Sequence, residues 1–463
     1  MDKFSSHLII TTLAKYQTEF WIECIKRIDF KNKITFFSFD ERSSELLKKN
    51  NIQFFDIPFL SKKKNHIKNF DINNLLKKFD IHNSNLIINH EKICFSLKNS
   101  LKLELKLCRY LTTIDKIFLH LKKKKNIQFI LLQEFGGFIA NHSSFYVARK
   151  YGIDNYFLEP SFFKGRLFLV KNSFKSKNIK KDRYVISKDL KKYLNLIRHN
   201  KEIVIPIKDN HHYFTAIKKV LNVKNLLRLI QKNIDKFILR KYQEFGYSNL
   251  YAFKHLLMVL NSIRLKSIYS KPSKNVFYLY FPLHVPDDAA LTIRSPEYFD
   301  QLSLIDLLSK AIPRNFKLYI KEHPARVGAI NFTKLKNLIN LNDNISLIDP
   351  LVNNFDLMSS SKGVITINSK SGAEAILLNK PVFVLGDAFY SYSSPAIYIN
   401  DIKKIYDILY SEKILSHKFN HKNLQINYFN QVWHSSIEGE LYYISKKNLN
   451  LINKIIFDLL KIK

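Results

Sequence analysis

The chain is expected to be an α/β protein. It would comprise two Rossmann-like domains facing each other across a cleft, a basic helical insert between them and a helical C-terminal tail. Three observations predict this. Short apolar runs alternate with helical patterns over residues 1–170 and again over 273–400, as parallel sheets covered on both faces require. Residues 171–272 break that rhythm with many lysines, long helical patterns and few strand signals. Of the 463 residues, 46% are hydrophobic and 14% aromatic, which supplies cores for several layers and excludes a disordered or fibrous chain.

Element by element, HLIITTL from His7 reads as a buried strand and YQTEFWIECIKRI as a helix. ITFFSF from Ile34 is a strand, ERSSELLKKN a helix and QFFDI from Gln53 a strand. NLIIN from Asn85 reads as a further strand, followed by a long helix near 95–121 and the strand IQFILLQ from Ile127. FIANHSSFYVARKYG is helical and NYFLE from Asn155 extended. The second half is punctuated more sharply. Strands VFYLYF (from Val276), KLYIKEH (from Lys317), ISLID (from Ile345), GVITIN (from Gly363) and PVFVLG (from Pro381) alternate with helices near 298–311, 331–340, NNFDLMSSS and SGAEAILLN. The tail, 401–463, reads as helical.

Lys and Arg number 75 against 39 Asp and Glu, a formal charge of +36. Lys, Asn, Ile and Phe are abundant everywhere, as an AT-rich coding sequence would give. Charge alone therefore does not choose between background and an anionic partner such as nucleotide, phospholipid or nucleic acid. Cys24, Cys94 and Cys108 lie far apart with no C-x-x-C, against a disulfide framework or zinc knuckle. The first residues carry no cleavage signal, and no run approaches the roughly 18 apolar residues a bilayer span needs. A reducing, cytoplasmic, soluble or peripheral protein is expected.

In the insert, at about 100° per residue, Lys224, Arg228, Lys232, Lys236 and Arg240 share one side of a helix spanning 217–241. Val223, Leu226, Leu227, Ile230, Ile234, Phe237 and Ile238 cover the other. Two explanations stand. Like charges at i,i+4 repel by roughly 0.2–0.5 kcal/mol per pair, which an anionic membrane surface would relieve. Alternatively, this is an ordinary helix packing its apolar face on the protein.

In open parallel sheets ligands sit beyond the carboxyl ends of the strands, so chemistry is sought there. Lys321-Glu322-His323-Pro324 ends KLYIKEH, and its Lys and His can offer two donors to a phosphate without a metal. Asn368-Ser369-Lys370-Ser371-Gly372-Ala373-Glu374 joins a strand to a helix; free amides, hydroxyls and a close-approaching Gly make an anion site. The S-x-x-E spacing of Ser371 and Glu374 equally fits a capping box that merely starts the helix. His284 lies between two prolines at the end of the first strand of the second half, where a structural role is the alternative. Asp287 and Asp288 are adjacent, and no D-x-D occurs, against a metal-dependent transferase; no metal ligand and no cofactor is expected. In the first half Glu134, on the Gly136-Gly137 loop, is the candidate general base, with Glu159 as competitor and an exposed loop acid as the bland explanation of either.

At these residues the second half resembles the bacterial capsule polysaccharide biosynthesis family, which includes Kdo transferases. The matching run is YLYFPLHVPDDAALT, YFDQLSLIDLLSKAIP, LYIKEHP and GVITINSKSGAEAILLNKPVFVLGDAFY, with a fainter echo in EFGGFIANHSSFYVARKYGIDNYFLEPSFF. The resemblance implies a GT-B glycosyltransferase making surface polysaccharide from a nucleotide-activated sugar. By similarity to bacterial sialyltransferases, His323-Pro324 and Ser369/Ser371 would hold CMP. Glu374 would reach the ribose, His284 the donor, and Glu134 would match the acidic residue before glycine in the first domain. Where the family usually has G-T-x-G this chain has Asn368-Ser369-Lys370-Ser371-Gly372, which leaves the sugar open.

The expected activity is transfer of a CMP-activated keto-sugar acid, such as Kdo or a sialic-acid-like sugar, to a glycan or lipid-linked acceptor in capsule or lipopolysaccharide synthesis. Rivals are a sugar-nucleotide epimerase or hydrolase on the same scaffold and a non-enzymatic basic module binding membrane or nucleic acid. No nucleic-acid motif is present, so nucleic acid is not an expected partner.

Overall fold

The computed structural model describes residues 5–461 except 63–71, 125, 181, 183, 202–204, 209–221, 274, 393 and 411–421. The first sheet contains β1 (Ser5–Thr12), β2 (Ile34–Ser38), β3 (Phe54–Asp56), β4 (Ile127–Glu134), β5 (Asp154–Pro160) and β6 (Arg166–Lys171). The second contains β7 (Tyr269–Ser270), β8 (Phe277–Pro282), β9 (Phe316–Lys321), β10 (Ile345–Ile348), β11 (Gly363–Thr366), β12 (Val382–Val384) and β13 (Ile397–Tyr398). A last strand, β14 (Ile437–Glu438), joins the first sheet.

Strand order is β14-β6-β5-β4-β1-β2-β3 in one sheet and β13-β12-β11-β8-β9-β10-β7 in the other. Within the first sheet β1 to β5 are parallel, with β6 and β14 antiparallel at one edge, and the second sheet is parallel throughout. Each sheet has a switch point where the chain order reverses: between β1 and β4 in one, between β8 and β11 in the other. These crevices are where such sheets bind ligands.

Burial follows the pleat. Leu8 and Ile10 of β1 pack with Trp21 and the C-terminal residues Ile452 and Ile456, while Ile9 between them packs with Leu107, Leu111 and Val147 on the opposite layer. Leu279, Phe281, Leu318, Ile320 and Ile365 build the second lobe's core. A further cluster runs through both lobes, from Phe157 and Phe163 through Leu190 and Leu194 to Tyr280 and Val364. The helix Lys188–Asn200 thereby anchors the start of the insert on the second lobe, and Arg198 donates to Leu377 O at 3.1 Å.

Several expectations are corrected. NLIIN is not a strand but part of the helix Ser84–Phe95, capped by Asn83. Ile87, Ile88, Glu91, Cys94 and Phe95 form its buried face, a 3.6-residue period that begins with the very residues that look extended in isolation. The hairpin partner β6 was not foreseen; Gly165, at φ +77°, turns the chain into it. The tail is helical but also supplies β14, and its helix Lys446–Leu460 covers the first sheet. Of the basic helix expected over 217–241, residues 217–221 lie outside the described residues. From 223 it is α-helical to Asn233 and continues as a π turn to Ile238. No residue of Val223–Asn233 is buried, so among the described residues its apolar face is not packed on the protein. Among the described residues no helix is long and apolar enough to cross a membrane.

Candidate functional site

The second lobe's switch point is built from three strand ends. Pro282 of β8 lies beside Lys321 of β9, and β11 flanks β8 on its other side. His284, His323 and the Asn368–Ser369 turn therefore occupy one edge of one sheet. His323 and Ser369 sit a strand away from His284 on either side, with about 10 Å between their backbones. His284 is the centre. Its amide donates to Gln301 Oε1 at 2.7 Å, Gln301 Nε2 donates back to its carbonyl at 3.2 Å, and its Nε2 accepts from the Asn368 amide at 3.2 Å. Burial, with a smaller push from the neighbouring His323, lowers the imidazole's pKa to about 3. A neutral ring whose Nε2 accepts carries its proton on Nδ1, and that buried nitrogen has no hydrogen-bond partner among the described residues.

His323 is half-buried and caps the turn that Pro324 opens: its Nδ1 accepts from the Ala325 amide at 3.1 Å. That bond places the proton of the neutral ring on Nε2, as a donor. Ser369, half-buried, caps the helix Lys370–Leu377, its Oγ accepting from the Ser371 amide at 3.2 Å. Tyr390 Oη in turn donates to Ser369 O.

Four sequence-derived assignments change. The cap is Ser369, not the Ser371–Glu374 box. Ser371 is buried inside the helix and its Oγ accepts from Asn354 Nδ2 at 3.4 Å. Gly372 is required by Tyr390 rather than by an approaching phosphate, since a Cβ there would stand 2.5 Å from Tyr390 Oη. Lys321 does not offer its ammonium to a ligand. It is buried and donates to Val352 O at 2.6 Å, bracing the loop after β10, and burial lowers its pKa to about 8 against the opposing pull of Glu374 and Asp349. Glu374, only 1% exposed, acts on Lys321 from within the lobe rather than at a ribose-binding mouth. The physical reason is common to both: the period of a strand (two) or a helix (about 3.6) turns some polar residues inward, where they must find an internal partner.

Asp287 and Asp288 are both engaged. Asp287 pairs with Arg326 at 3.1 Å and Lys254 at 3.4 Å, and Asp288 caps the short helix Ala289–Thr292. Glu322, between Lys321 and His323, is buried with its pKa raised to about 7 by desolvation, and accepts from the Gly328 amide at 3.0 Å. It shapes the loop behind His323.

The first lobe contributes Glu134, at its own switch point. The carboxylate accepts from Gln17 Nε2 at 3.0 Å, Tyr442 Oη at 2.5 Å and Lys208 Nζ at 2.5 Å. The donors come from the helix after β1, the tail and the insert. Glu159, the competitor, is instead the buried partner of Arg294 of the second lobe, at 2.9 Å. Arg294 also lies over the Phe135 ring, 3.9 Å from its centroid, so the carboxyl edges of the two sheets face each other. His90 Nδ1 and Thr292 Oγ1, 2.8 Å apart, and Ser176 Oγ donating to Asp387 at 2.6 Å join the lobes elsewhere.

Sequence reasoning missed Arg294, Ser295, Tyr390 and Tyr442. Ser295 Oγ accepts from Asn368 Nδ2 and from the Asp387 amide, each at 3.0 Å, and a Cβ on Gly386 would meet that oxygen at 2.2 Å. Arg294 and Ser295 follow the run DDAALT after a single residue, Ile293, which was a signal in hand; Tyr442 is 308 positions from Glu134 and gave none.

Residues 178–394 match the family described as "Capsule polysaccharide biosynthesis protein". Protein FixF of Sinorhizobium fredii is 30% identical over 132 residues, covering 28% of this chain and 31% of that protein, so the chain spans about a third of its curated relative. Among solved structures, a beta Kdo 2,7 transferase, KpsC of Thermosulfurimonas dismutans, aligns over 78% of this chain and 98% of its own at 15% identity and a TM-score of 0.34. A glycosyltransferase from Rickettsia africae aligns over 99% and 100% at 15% identity and a TM-score of 0.31.

Proposed function

From the match of residues 178–394 to the capsule polysaccharide biosynthesis family, we propose that this protein is a glycosyltransferase of bacterial surface polysaccharide synthesis, capsule or lipopolysaccharide. The donor is a nucleotide sugar, a CMP-linked keto-sugar acid such as Kdo or a sialic-acid-like sugar, and the acceptor a glycan or lipid-linked glycan. The observation that carries this reading is the pairing of two switch points. One is lined by His284, His323 and the capped Ser369 turn, the other by a carboxylate, and their sheets meet at Arg294 and Glu159.

In this mechanism His323 Nε2–H and the positive end of the helix Lys370–Leu377, whose Ser371 and Gly372 amides are held by Ser369, receive the charge that develops on the leaving phosphate. His284, uncharged, holds the Asn368 amide in place and supplies a second imidazole N–H. Glu134 takes the acceptor hydroxyl's proton once that hydroxyl displaces one of its three present donors. No metal is needed if these groups carry the phosphate's charge; Asp287 and Asp288 are already engaged in ion pairs and a cap. Attachment to the inner face of the cytoplasmic membrane belongs to the same reading.

A thermal-shift screen with CMP, UDP, GDP and ADP tests it, because a ligand of the folded state raises the transition by mass action. CMP is expected to give the largest shift; a shift with UDP alone would overturn the donor class. Donor turnover that proceeds equally well without acceptor would reassign the chain to an epimerase or hydrolase.

A further inference from the structure

The helix Ser248–Leu265 is apolar on opposite sides. Placing Leu250 at zero and advancing about 100° per residue, its buried residues Met258, Ser262 and Leu265 fall between about 60° and 120°. That face rests on the second lobe, where Asn261 Nδ2 donates to Gly328 O at 2.8 Å. On the far side, between about 220° and 360°, stand Leu250, Phe253, Leu256, Leu257, Leu260 and Ile263, each 44–58% exposed. The preceding helix, Val223–Asn233, is tied alongside by mutual amide bonds between Asn233 and Asn249 at 3.0 and 2.9 Å. It adds Val223, Leu226, Leu227 and Ile230, 47–66% exposed, in a stripe about 100° wide. Apolar surface on this scale normally marks a docking site.

Charge identifies the occupant. From 222 to 268 the only carboxylates are Asp235 and Glu244. Both are buried and taken, Asp235 by Arg42 and Glu244 by Lys106 at 2.7 Å. Arg264 of the second helix and Lys266 just after it are exposed, Arg264 at about 320° inside the apolar arc, and Lys224, Arg228, Lys232, Lys236 and Arg240 are exposed on the side of the first helix away from its stripe. A second copy of this chain would set cations against cations across such a face; an anionic bilayer would not. We propose that the outward face of the hairpin 222–265 docks on anionic phospholipid, with Phe253, Leu257 and Leu260 entering the headgroup–acyl boundary and the cations engaging headgroups. The apolar contribution comes mainly from the second helix, not from the basic one that the sequence singles out. The same helix holds Arg326 through Tyr251 Oη at 2.8 Å and His255 Nε2 at 2.8 Å, so docking would fix the nucleotide lobe relative to the membrane.

Flotation of the full chain with phosphatidylcholine vesicles, with and without phosphatidylglycerol, tests this at low salt. The chain is expected to float with the anionic vesicles. A Phe253→Ser/Leu257→Ser/Leu260→Ser variant should retain its thermal transition and lose at least about tenfold in partitioning, as removal of three inserted side chains requires. Lys224→Glu/Arg228→Glu should weaken binding to anionic vesicles only. Three results would overturn the proposal: a wild-type chain that stays at the bottom of the gradient, a triple variant that floats as well as wild type, or a lipid-free dimer that the triple variant dissociates. The nucleotide thermal shift of the triple variant should be unchanged, so failure here leaves the transferase assignment standing.

Discussion

Arg294 and Glu159 form a 2.9 Å ion pair between the two lobes, with both side chains about nine-tenths enclosed. The guanidinium also donates to Phe174 O at 2.9 Å and Lys175 O at 3.3 Å, so its charge and most of its hydrogen-bonding capacity are met by the opposite lobe. Removing one partner strands the other. Arg294→Ala should cost about 3 kcal/mol in urea denaturation, whereas Arg294→Met/Glu159→Leu should cost clearly less. Equal losses would show that the pair is not what joins the edges.

His323→Ala should abolish sugar transfer while shifting the thermal transition by no more than a few degrees, as for about 1 kcal/mol in a chain of this length. The side chain is half-buried and its Nδ1 caps a turn of only three residues, which sets the small expected cost. Retained transfer would remove the imidazole from the mechanism.

Gly372→Ala brings a methyl to 2.5 Å from Tyr390 Oη and 2.7 Å from two of its ring carbons. Such overpacking costs about 1–3 kcal/mol. Tyr390→Leu is itself destabilising, since it loses the bond to Ser369 O and leaves space in a fully buried site. The double variant should nevertheless be more stable than the sum of the two losses, which a double-mutant cycle by denaturant melts would measure.

His142 is buried against Phe174, ring centroids 4.3 Å apart, and neither ring nitrogen has a partner among the described residues. Burial lowers its pKa from 6.5 to about 3. Between those values the unfolded chain binds a proton that the folded chain refuses. The stability the imidazole contributes is therefore complete above pH 6.5 and drains away as pH falls towards 3. His142→Phe abolishes this titration, so relative to wild type it should gain about 2 kcal/mol between pH 7 and pH 5. Parallel stability profiles would mean that the ring is hydrated and titrates normally.

Buried parallel strands were legible because both faces must be apolar, and ITFFS, IQFILLQ and FYLYFP are dominated by adjacent apolar residues rather than by alternation. The strand-end positions of His284, His323 and Ser369 followed from that. What a side chain does at a strand end was not legible: Lys321 and His323 are two residues apart, yet one braces a loop from inside while the other is half-buried and caps the turn that follows. Direction there depends on the last half-turn of backbone and on partners such as Val352 that lie on another strand's loop. NLIIN reads as extended because five residues, three apolar between two amides, cannot reveal a period, and Glu91, Cys94 and Phe95 complete the helical face. Tyr442 and Lys208 reach Glu134 from segments with no local signature of a site.

β14 and the helix Lys446–Leu460 return the chain to the lobe in which it began. The second sheet is thus topologically an insertion, tethered at both ends. Any opening of the gap has to bend two covalent connections together, one on each side of the second lobe, which favours a swing about a fixed axis over free tumbling. Shortening the chain before residue 446 would lay bare the outer layer of the first sheet around Trp21 and leave the return of the second lobe's chain resting on the two-residue strand β14.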